Sequence, residues 1–411
     1  MSINKKIIFI DAFSTIHVGN GALLDNSYHL ASSVFDTKNI SIVTSDPKTN
    51  RCRYPNIIED VFSNYPTNRI AKLIWTILFF INCTLFYLYK KLKFPQKLWF
   101  LGNRFKTIAT SISESDIVIS ISGESINDHF APQMFMRIYL FYICTKLGKA
   151  LYIFPQSIGP IFRTSSRIML KHALSNAKVI FARDNESFSL ASSIWEDRPV
   201  RVIYCPDVAV MQESAPDNSL RIFHSGRKVV GITLSDVPNE ITGSAGYVEK
   251  MIEGIITTLT PNEHAILMMP SNYQTNGVSR DYRICESAKI AFEAKGFQVE
   301  LLKDQAIHPE QYQGIQKCLY LFISSRMHVG ILGTSAAVPT IMLNTQHKIR
   351  GYMKNIGMES YVMEYADIEL QLPKLIKKCM SNNSDIRQLL KAKNSELRYM
   401  VFETIRTAVT K

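Results

Sequence analysis

No Cys-x-x-Cys pair occurs in this 411-residue sequence. Its seven cysteines, at 52, 83, 144, 205, 285, 318 and 379, are odd in number and widely spaced. That pattern argues against a disulfide framework and a zinc site, and fits reduced thiols in a cytoplasmic protein. Long Lys/Arg runs and recognisable nucleic-acid reader motifs are also missing. The net charge of +12 is therefore mostly scattered surface charge, with one cluster at Lys90, Lys91, Lys93 and Lys97, and nucleic acid is not an expected partner. There is no low-complexity tract and no short-period repeat. The N-terminus, Met1 to Ile10, runs straight into a strand-like segment without the apolar core and cleavage site of a signal peptide.

What is present is ordinary for a folded soluble protein: 46% apolar and 20% charged residues. The length favours two domains. Continuous apolar, β-rich runs recur at Ile7–Phe13, Ile40–Thr44, Asp116–Ser122, Ala150–Pro155, Val179–Ala182 and Val202–Tyr204, with helix-like stretches such as 132–147 and 164–176 between them. Runs of this kind suit strands buried on both faces of a parallel sheet, and their alternation with helices predicts an α/β architecture. Residues 212–227 are polar and turn-rich and read as a linker. A second series follows, at Val229–Leu234, Ala265–Pro270, Val299–Leu302, Tyr320–Ser324 and Pro339–Leu343, with helical stretches such as 246–259 and 280–295. The expected division is 1–211, a linker at 212–227, 228–383, and a helical tail over 384–411.

One segment breaks the pattern. Leu73–Tyr89 is apolar except for Thr76, Asn82 and Thr84, and basic residues flank it on both sides. Three readings stay open: a buried core helix, a helix lying in the membrane interface, and a span at the short end of the usual range.

The most informative stretch is Leu319–Pro339. A strand runs into Ser324 and Ser325, and Arg326 and His328 arrive as a helix begins. Serine caps helices, free N–H groups at a helix start attract anions, and arginine adds a permanently charged fork for phosphate or carboxylate. Histidine there moves a proton near neutral pH. The plain alternative is a helix with an incidental arginine and a buried, hydrogen-bonded histidine. At Phe181–Ser187, Arg183 sits at a strand end where it would hold an anion, while Asp184 reads as a helix cap. Asp207 occupies a similar strand end and would cap or tether the linker. Gln156 and Ser157 follow a strand and present an amide and a hydroxyl to a ligand. Gly123 lets a ligand approach backbone, and Glu124 and Asp128 would serve as bases or bind hydroxyls. Gly19-Asn20-Gly21-Ala22 reads as a glycine turn between the first strand and a helix.

Taken in order, Ser122-Gly123 with Asp128, Gln156-Ser157-Ile158-Gly159-Pro160, Ala182-Arg183-Asp184 with Ser187, Pro206-Asp207, His308-Pro309-Glu310, and Ser325-Arg326-Met327-His328 with Gly330 and Pro339 resemble the polysaccharide pyruvyl transferase family. Lys348 and Gly351 continue the match. Asn20-Gly21-Ala22-Leu23 departs from the family's usual Asn-x-Gly-Asp, and Ser122-Gly123 replaces a more usual Gly-Gly. The resemblance implies two Rossmann-like domains facing across a cleft, as in GT-B glycosyltransferases, with the acceptor on the first half and the donor on the second. It implies phosphoenolpyruvate as donor co-substrate, no further cofactor, and a ketal on two sugar hydroxyls of a cell-surface polysaccharide. Arg183, Arg326, His328 and Ser325 would hold the donor. Gly123, Glu124, Asp128, Gln156, Ser157 and His308 would line the acceptor side. No Asp-x-Asp motif stands where a metal-dependent transferase would need one, so no metal is expected. An acceptor carried on a lipid would place the enzyme at the inner face of the cytoplasmic membrane. A GT-B glycosyltransferase using a nucleotide sugar is the alternative.

Overall fold

A computed structural model describes residues 5–92, 102–236, 246–274, 278–303, 305–344 and 347–410. Lys93 and Lys97 of the basic cluster lie outside the described residues. The chain divides into two compact units. The first comprises residues 1–14, 23–207 and 401–411; the second comprises 15–22 and 208–400.

Among the described residues, the first unit holds seven strands: β1 (Ile7–Ala12), β2 (Ile40–Thr44), β3 (Ile57–Glu59), β4 (Ile117–Ser120), β5 (Ala150–Gln156), β6 (Val179–Ala182) and β7 (Arg201–Tyr204). They pair side by side in the order 3-2-1-4-5-6-7, and every pair is parallel. The apolar runs explain this directly: β1 and β4 are buried at every position, as strands covered on both faces must be. The second unit holds β8 (Lys228–Thr233), β9 (His264–Met268), β10 (Gln298–Leu301), β11 (Leu321–Ser324), β12 (Thr340–Leu343) and β13 (Val362–Met363), in the order 10-9-8-11-12-13, again all parallel. Each sheet is the doubly wound, Rossmann-type arrangement. Its strand order reverses between the first strand and the fourth, opening a crevice outside the carboxyl ends there. In the first unit that point lies between β1 and β4, and in the second between β8 and β11.

Two expectations are corrected. The changeover falls between Asp207 and Val208, not across 212–227, and that stretch is tied down: Asp217 N–H donates to the Gly314 carbonyl (2.9 Å) and Gln313 Nε2 to the Gln212 carbonyl (3.0 Å). The helical tail expected over 384–411 is present as the helix Asn383–Thr410, its residues from Val401 onward grouping with the first unit. Gly19-Asn20-Gly21-Ala22 is not a turn but the start of the helix Val18–Val34. Its glycines serve close packing: a Cβ on Gly19 would lie 2.5 Å from the His328 Cβ, and one on Gly21 2.8 Å from Pro309.

Residues Arg69–Leu92 form a single 24-residue helix. Phe79, Asn82, Cys83 and Phe86 are buried against the first unit's core, where Phe79 stacks on Trp75 and meets Phe105 edge-on. The opposite face is open, so a wholly buried core helix does not describe it.

Candidate functional site

In the second unit, β11 ends at Ser324 and the helix Met327–Ser335 begins three residues later. Ser324 ties this turn: its Oγ donates to the Arg326 carbonyl (2.8 Å) and accepts the Arg326 N–H (3.2 Å). Ser325 ties it to the neighbouring strand, donating its N–H and Oγ–H to the Thr233 carbonyl, both at 3.1 Å, with its Oγ 2.8 Å from Ser235 Oγ. Ser325 is thus a buried brace at the switch point rather than an open donor. The helix behind can seat closely because Gly330 packs on Met342 and Gly333 on Phe322, where an added Cβ would approach within 2.4 and 2.9 Å.

Arg326 stands at the N-cap position, with its side chain 38% exposed. Its Nη2 donates to both carboxylate oxygens of Asp281, each at 2.9 Å. Asp281 is 1% exposed and sits in the first turn of the helix Arg280–Glu293, which Ser279 caps. The fork is therefore held from behind by a buried anion. Its Nε is also buried, and among the described residues no group accepts from it. A buried N–H without an acceptor is costly, and a ligand oxygen would satisfy it. Backbone N–H groups of the helix start add positive potential at the same place.

His17 reaches this cluster from the segment 15–22, which is pinned by Val18 N–H donating to the Ser271 carbonyl (3.0 Å). Burial lowers the His17 pKa, the Arg326 charge lowers it further, and Asp281 pulls weakly the other way. Its imidazole is thereby biased to the neutral form. His328 is half-buried on the Met327–Ser335 helix, its Cβ against Gly19. Tyr247 closes the base by hydrogen bonding with Ser235 and packing edge-on to Tyr365. His308, exposed, caps the helix Pro309–Lys317, its Nδ1 accepting the Glu310 N–H at 3.4 Å.

The first unit gives its predicted residues a different character. Arg183 was expected to face outward and hold an anion. Instead its side chain is 2% exposed, with Nη1 on Asp207 (2.8 Å) and Nε on Ser157 Oγ (2.9 Å). A buried guanidinium needs a counter-ion, and Asp207 is it. Ser157 Oγ in turn donates to Asp184 (2.8 Å), which caps the helix Asn185–Trp195 as expected, and Ser187 Oγ accepts the Ile158 N–H (2.8 Å). Gln156 is fully buried, its Oε1 accepting from Ser125 N–H and Oγ. These two motifs brace one another: Ser157 is an interior strut, and Gln156 is tied down through Oε1 while its buried Nε2 has no acceptor among the described residues. Asp128 is likewise corrected: its oxygens accept from Phe162 N–H (2.7 Å), Arg163 N–H (2.8 Å) and Ser166 Oγ at the start of the helix Thr164–Ala173. Burial alone would raise its pKa, but those hydrogen bonds outweigh it and hold the carboxyl below the usual range. Gly123 and Glu124 are half-buried; the Gly123 carbonyl accepts the Ser157 N–H (3.0 Å), and Glu124 Oε1 accepts from Asn127 (3.1 Å).

Sequence reasoning missed three groups. His17 carried no signal beyond its place near the glycines. Asp281 looks in sequence like an ordinary acid in a helix's first turn. The third group lies at the first unit's switch point. Asp11, next to last in β1, has φ +66°, a left-handed conformation uncommon outside glycine. Its carboxylate pairs with Arg137 (2.8 Å) and accepts from Ser120 (3.0 Å). Burial raises its pKa against the opposing effect of Arg137. Nearby Asp60 is pushed up to about 6, by burial first and by Asp11, with Arg137 opposing. An acid inside an otherwise apolar first strand, Ile-Ile-Phe-Ile-Asp-Ala, was the visible hint. Among the described residues, no three or more His, Cys, Asp and Glu side chains are grouped to hold a metal ion.

Solved structures share the two-unit fold. A Rickettsia africae glycosyltransferase is 13% identical, with 99% of each chain covered and a TM-score of 0.58. Anabaena HepE, crystallised with UDP and glucose, is 11% identical over 99% of this chain and 98% of its own, with a TM-score of 0.56. A trehalose 6-phosphate synthase from Burkholderia multivorans is 9% identical, with 99% and 98% covered and a TM-score of 0.56. At such identities the likeness establishes the GT-B type of fold alone. Sequence carries the closer relationship: the family model described as polysaccharide pyruvyl transferase matches residues 17–347, a span that contains His17, Arg183, Asp281, Arg326 and His328. The chain belongs to the polysaccharide pyruvyl transferase family.

Proposed function

We propose that the protein transfers the pyruvyl group of phosphoenolpyruvate to two hydroxyls of a saccharide acceptor, forming a cyclic ketal and releasing inorganic phosphate. The observation that carries this reading is the Arg326–Asp281 pair. A guanidinium is fixed at a helix start by a buried carboxylate, with a buried Nε–H that no group among the described residues accepts. Phosphoenolpyruvate brings two anionic groups, and Arg326 with the helix N–H groups suits one of them. The second cation expected at Arg183 is engaged by Asp207, so the donor site is built on Arg326 and the imidazoles of His17 and His328.

In the reaction, a proton goes to the methylene carbon of the donor, giving a cationic centre at the adjacent carbon. A sugar hydroxyl adds there and loses its proton. The carbon–oxygen bond to phosphate breaks, and the second hydroxyl adds and loses its proton to close the ring. Arg326 stabilises the charge on the departing phosphate. His328 is assigned to proton transfer at the donor, with His17 as a neutral imidazole beside Arg326. Phosphoenolpyruvate is the co-substrate, and no metal or organic cofactor takes part.

The test is direct. The enzyme incubated with phosphoenolpyruvate and a panel of free and lipid-linked oligosaccharides should release phosphate and add a pyruvyl mass. Arg326→Ala and His328→Ala should abolish both while keeping the wild-type circular dichroism. Near-normal turnover in both variants would remove this site. Because similar folds have been crystallised with UDP, a nucleotide-sugar reading is tested alongside: stabilisation against heat by UDP, GDP or CMP sugars and not by phosphoenolpyruvate would favour it.

A further inference from the structure

The helix Arg69–Leu92 carries two chemically opposite demands. One face is packed into the first unit's core through Phe79, Cys83 and Phe86. The other face is just as apolar and is open: Ile70 is 71% exposed, Leu73 63%, Ile74 53%, Ile77 50% and Ile81 39%. At 100° per residue these five fall on one side of the helix, a stripe over its first half, about 17 Å of a length of about 36 Å. Single exposed apolar residues need no explanation, but a contiguous row of this kind does.

Charge indicates what covers it. The helix contains Arg69, Lys72, Lys90 and Lys91 and no acid. No acidic residue occurs anywhere between Asp60 and Glu114, whereas eight basic residues lie between Arg69 and Lys106. At the carboxyl end of the helix, Lys90 and Lys91 join Lys146 and Lys149 around a pocket of about 390 Å³, floored by Ser113, Leu147 and Gly148. Lys149 is held by the carbonyls of Ser113 and Ser115, both at 2.6 Å. The pocket's charged rim is thus uniformly cationic, and it lies on the same helix as the apolar row, which ends at Ile81 about 13 Å before Lys90.

We propose that this face docks on an anionic phospholipid bilayer, with the isoleucine row lying in the headgroup–acyl boundary and the lysine pocket receiving lipid phosphates. An apolar stripe edged by lysines is the pattern of a helix lying in the membrane plane. Lysines at such a surface are attracted by anionic headgroups. A span is incompatible with the packing, because pulling the helix into hydrocarbon would strip Phe79, Cys83 and Phe86 from the core they fill. The inference does not depend on the pyruvyl transfer reaction.

The test is flotation of the full-length protein with vesicles of phosphatidylcholine alone or of equimolar phosphatidylcholine and phosphatidylglycerol. Wild type should float with the anionic vesicles about tenfold more than with the neutral ones, and high salt should erase most of the difference. Ile74→Glu/Ile77→Glu should abolish flotation while leaving the circular dichroism unchanged, since both side chains are exposed. Lys90→Glu/Lys91→Glu should weaken binding to anionic vesicles at least about fivefold per lysine, without affecting the neutral ones. Failure of wild type to float would overturn the proposal, as would equal binding to both vesicle types. A concentration-dependent dimer that Ile77→Glu dissociates, with no vesicle binding, would instead make the face an interface between copies of this chain.

Discussion

Arg326→Lys isolates what the guanidinium shape contributes. In the wild type one nitrogen, Nη2, satisfies both oxygens of Asp281, leaving the buried Nε–H pointed elsewhere. Lysine keeps the charge but gathers its donors on one nitrogen, which cannot stand both against Asp281 and where the arginine Nε–H stands. Asp281 is 1% exposed and would win, because an unpaired buried carboxylate is costly. The donor then loses one charge-assisted hydrogen bond, worth about 1.5–3 kcal/mol, or about 10- to 150-fold in its dissociation constant. Calorimetric titration with phosphoenolpyruvate alone measures this without knowledge of the acceptor. The structure also predicts a rescue. In Arg326→Lys/Asp281→Asn the ammonium is no longer captured, and donor affinity should recover about tenfold over the single lysine variant, about 1.4 kcal/mol. If Arg326→Lys binds the donor as wild type does, or if Asp281→Asn gives no recovery, then Asp281 does not set the direction in which the fork points.

Other expectations follow from the same geometry. Gly19→Ala replaces a poor helix former with a good one, which on an open helix would stabilise by about 1 kcal/mol. Here its methyl would lie 2.5 Å from the His328 Cβ, so turnover should fall about tenfold with no gain in stability, as kinetics and urea unfolding would show; wild-type turnover would mean that the placement of His328 is not critical. Arg326→Met should raise the His17 pKa, because the neighbouring charge that depresses it is gone, and NMR titration of the imidazole would read the shift. In the wild type, a depressed histidine costs stability as pH falls below about 6.5, since the unfolded chain then binds the proton more readily. Arg137→Met leaves Asp11 and Asp60 buried without their cation. It should destabilise by about 3–5 kcal/mol at pH 8 and by clearly less at pH 5. Both acids have raised pKa values, so their protonated forms favour folding below the folded pKa, and that benefit is lost as pH rises through about 6 for Asp60. Equal losses at both pH values in urea titrations would contradict the assignment.

The strands were legible because burial on both faces leaves continuous apolar runs: Ile40–Thr44 and Val179–Ala182 were bounded to the residue. Two of the four edge strands, Ile57–Glu59 and Val362–Met363, were missed. They are three and two residues long and lack a run to see. The site was half legible. A serine pair, an arginine and a histidine at a strand-to-helix turn were visible as local chemistry, and they stand where expected. Asp281 was not, because its partner lies 45 positions away and only the sheet order of the second unit brings the two together. Arg183 erred in the opposite direction. Its strand-end position was right, but nothing local revealed that Asp207, at the end of the next strand, would neutralise it.

The distribution of thiols makes the two units separately readable. Cys83, Cys144 and Cys205 are buried in the first, Cys285 and Cys379 in the second, where Cys318 is half-covered; Cys52 alone is exposed. Burial raises the pKa of all five enclosed thiols, so in the native protein they are poor nucleophiles toward an alkylating reagent. Brief alkylation along a denaturant series, followed by peptide mass spectrometry, would therefore time-stamp the opening of each half from residues the protein already has, with Cys52 as the internal standard.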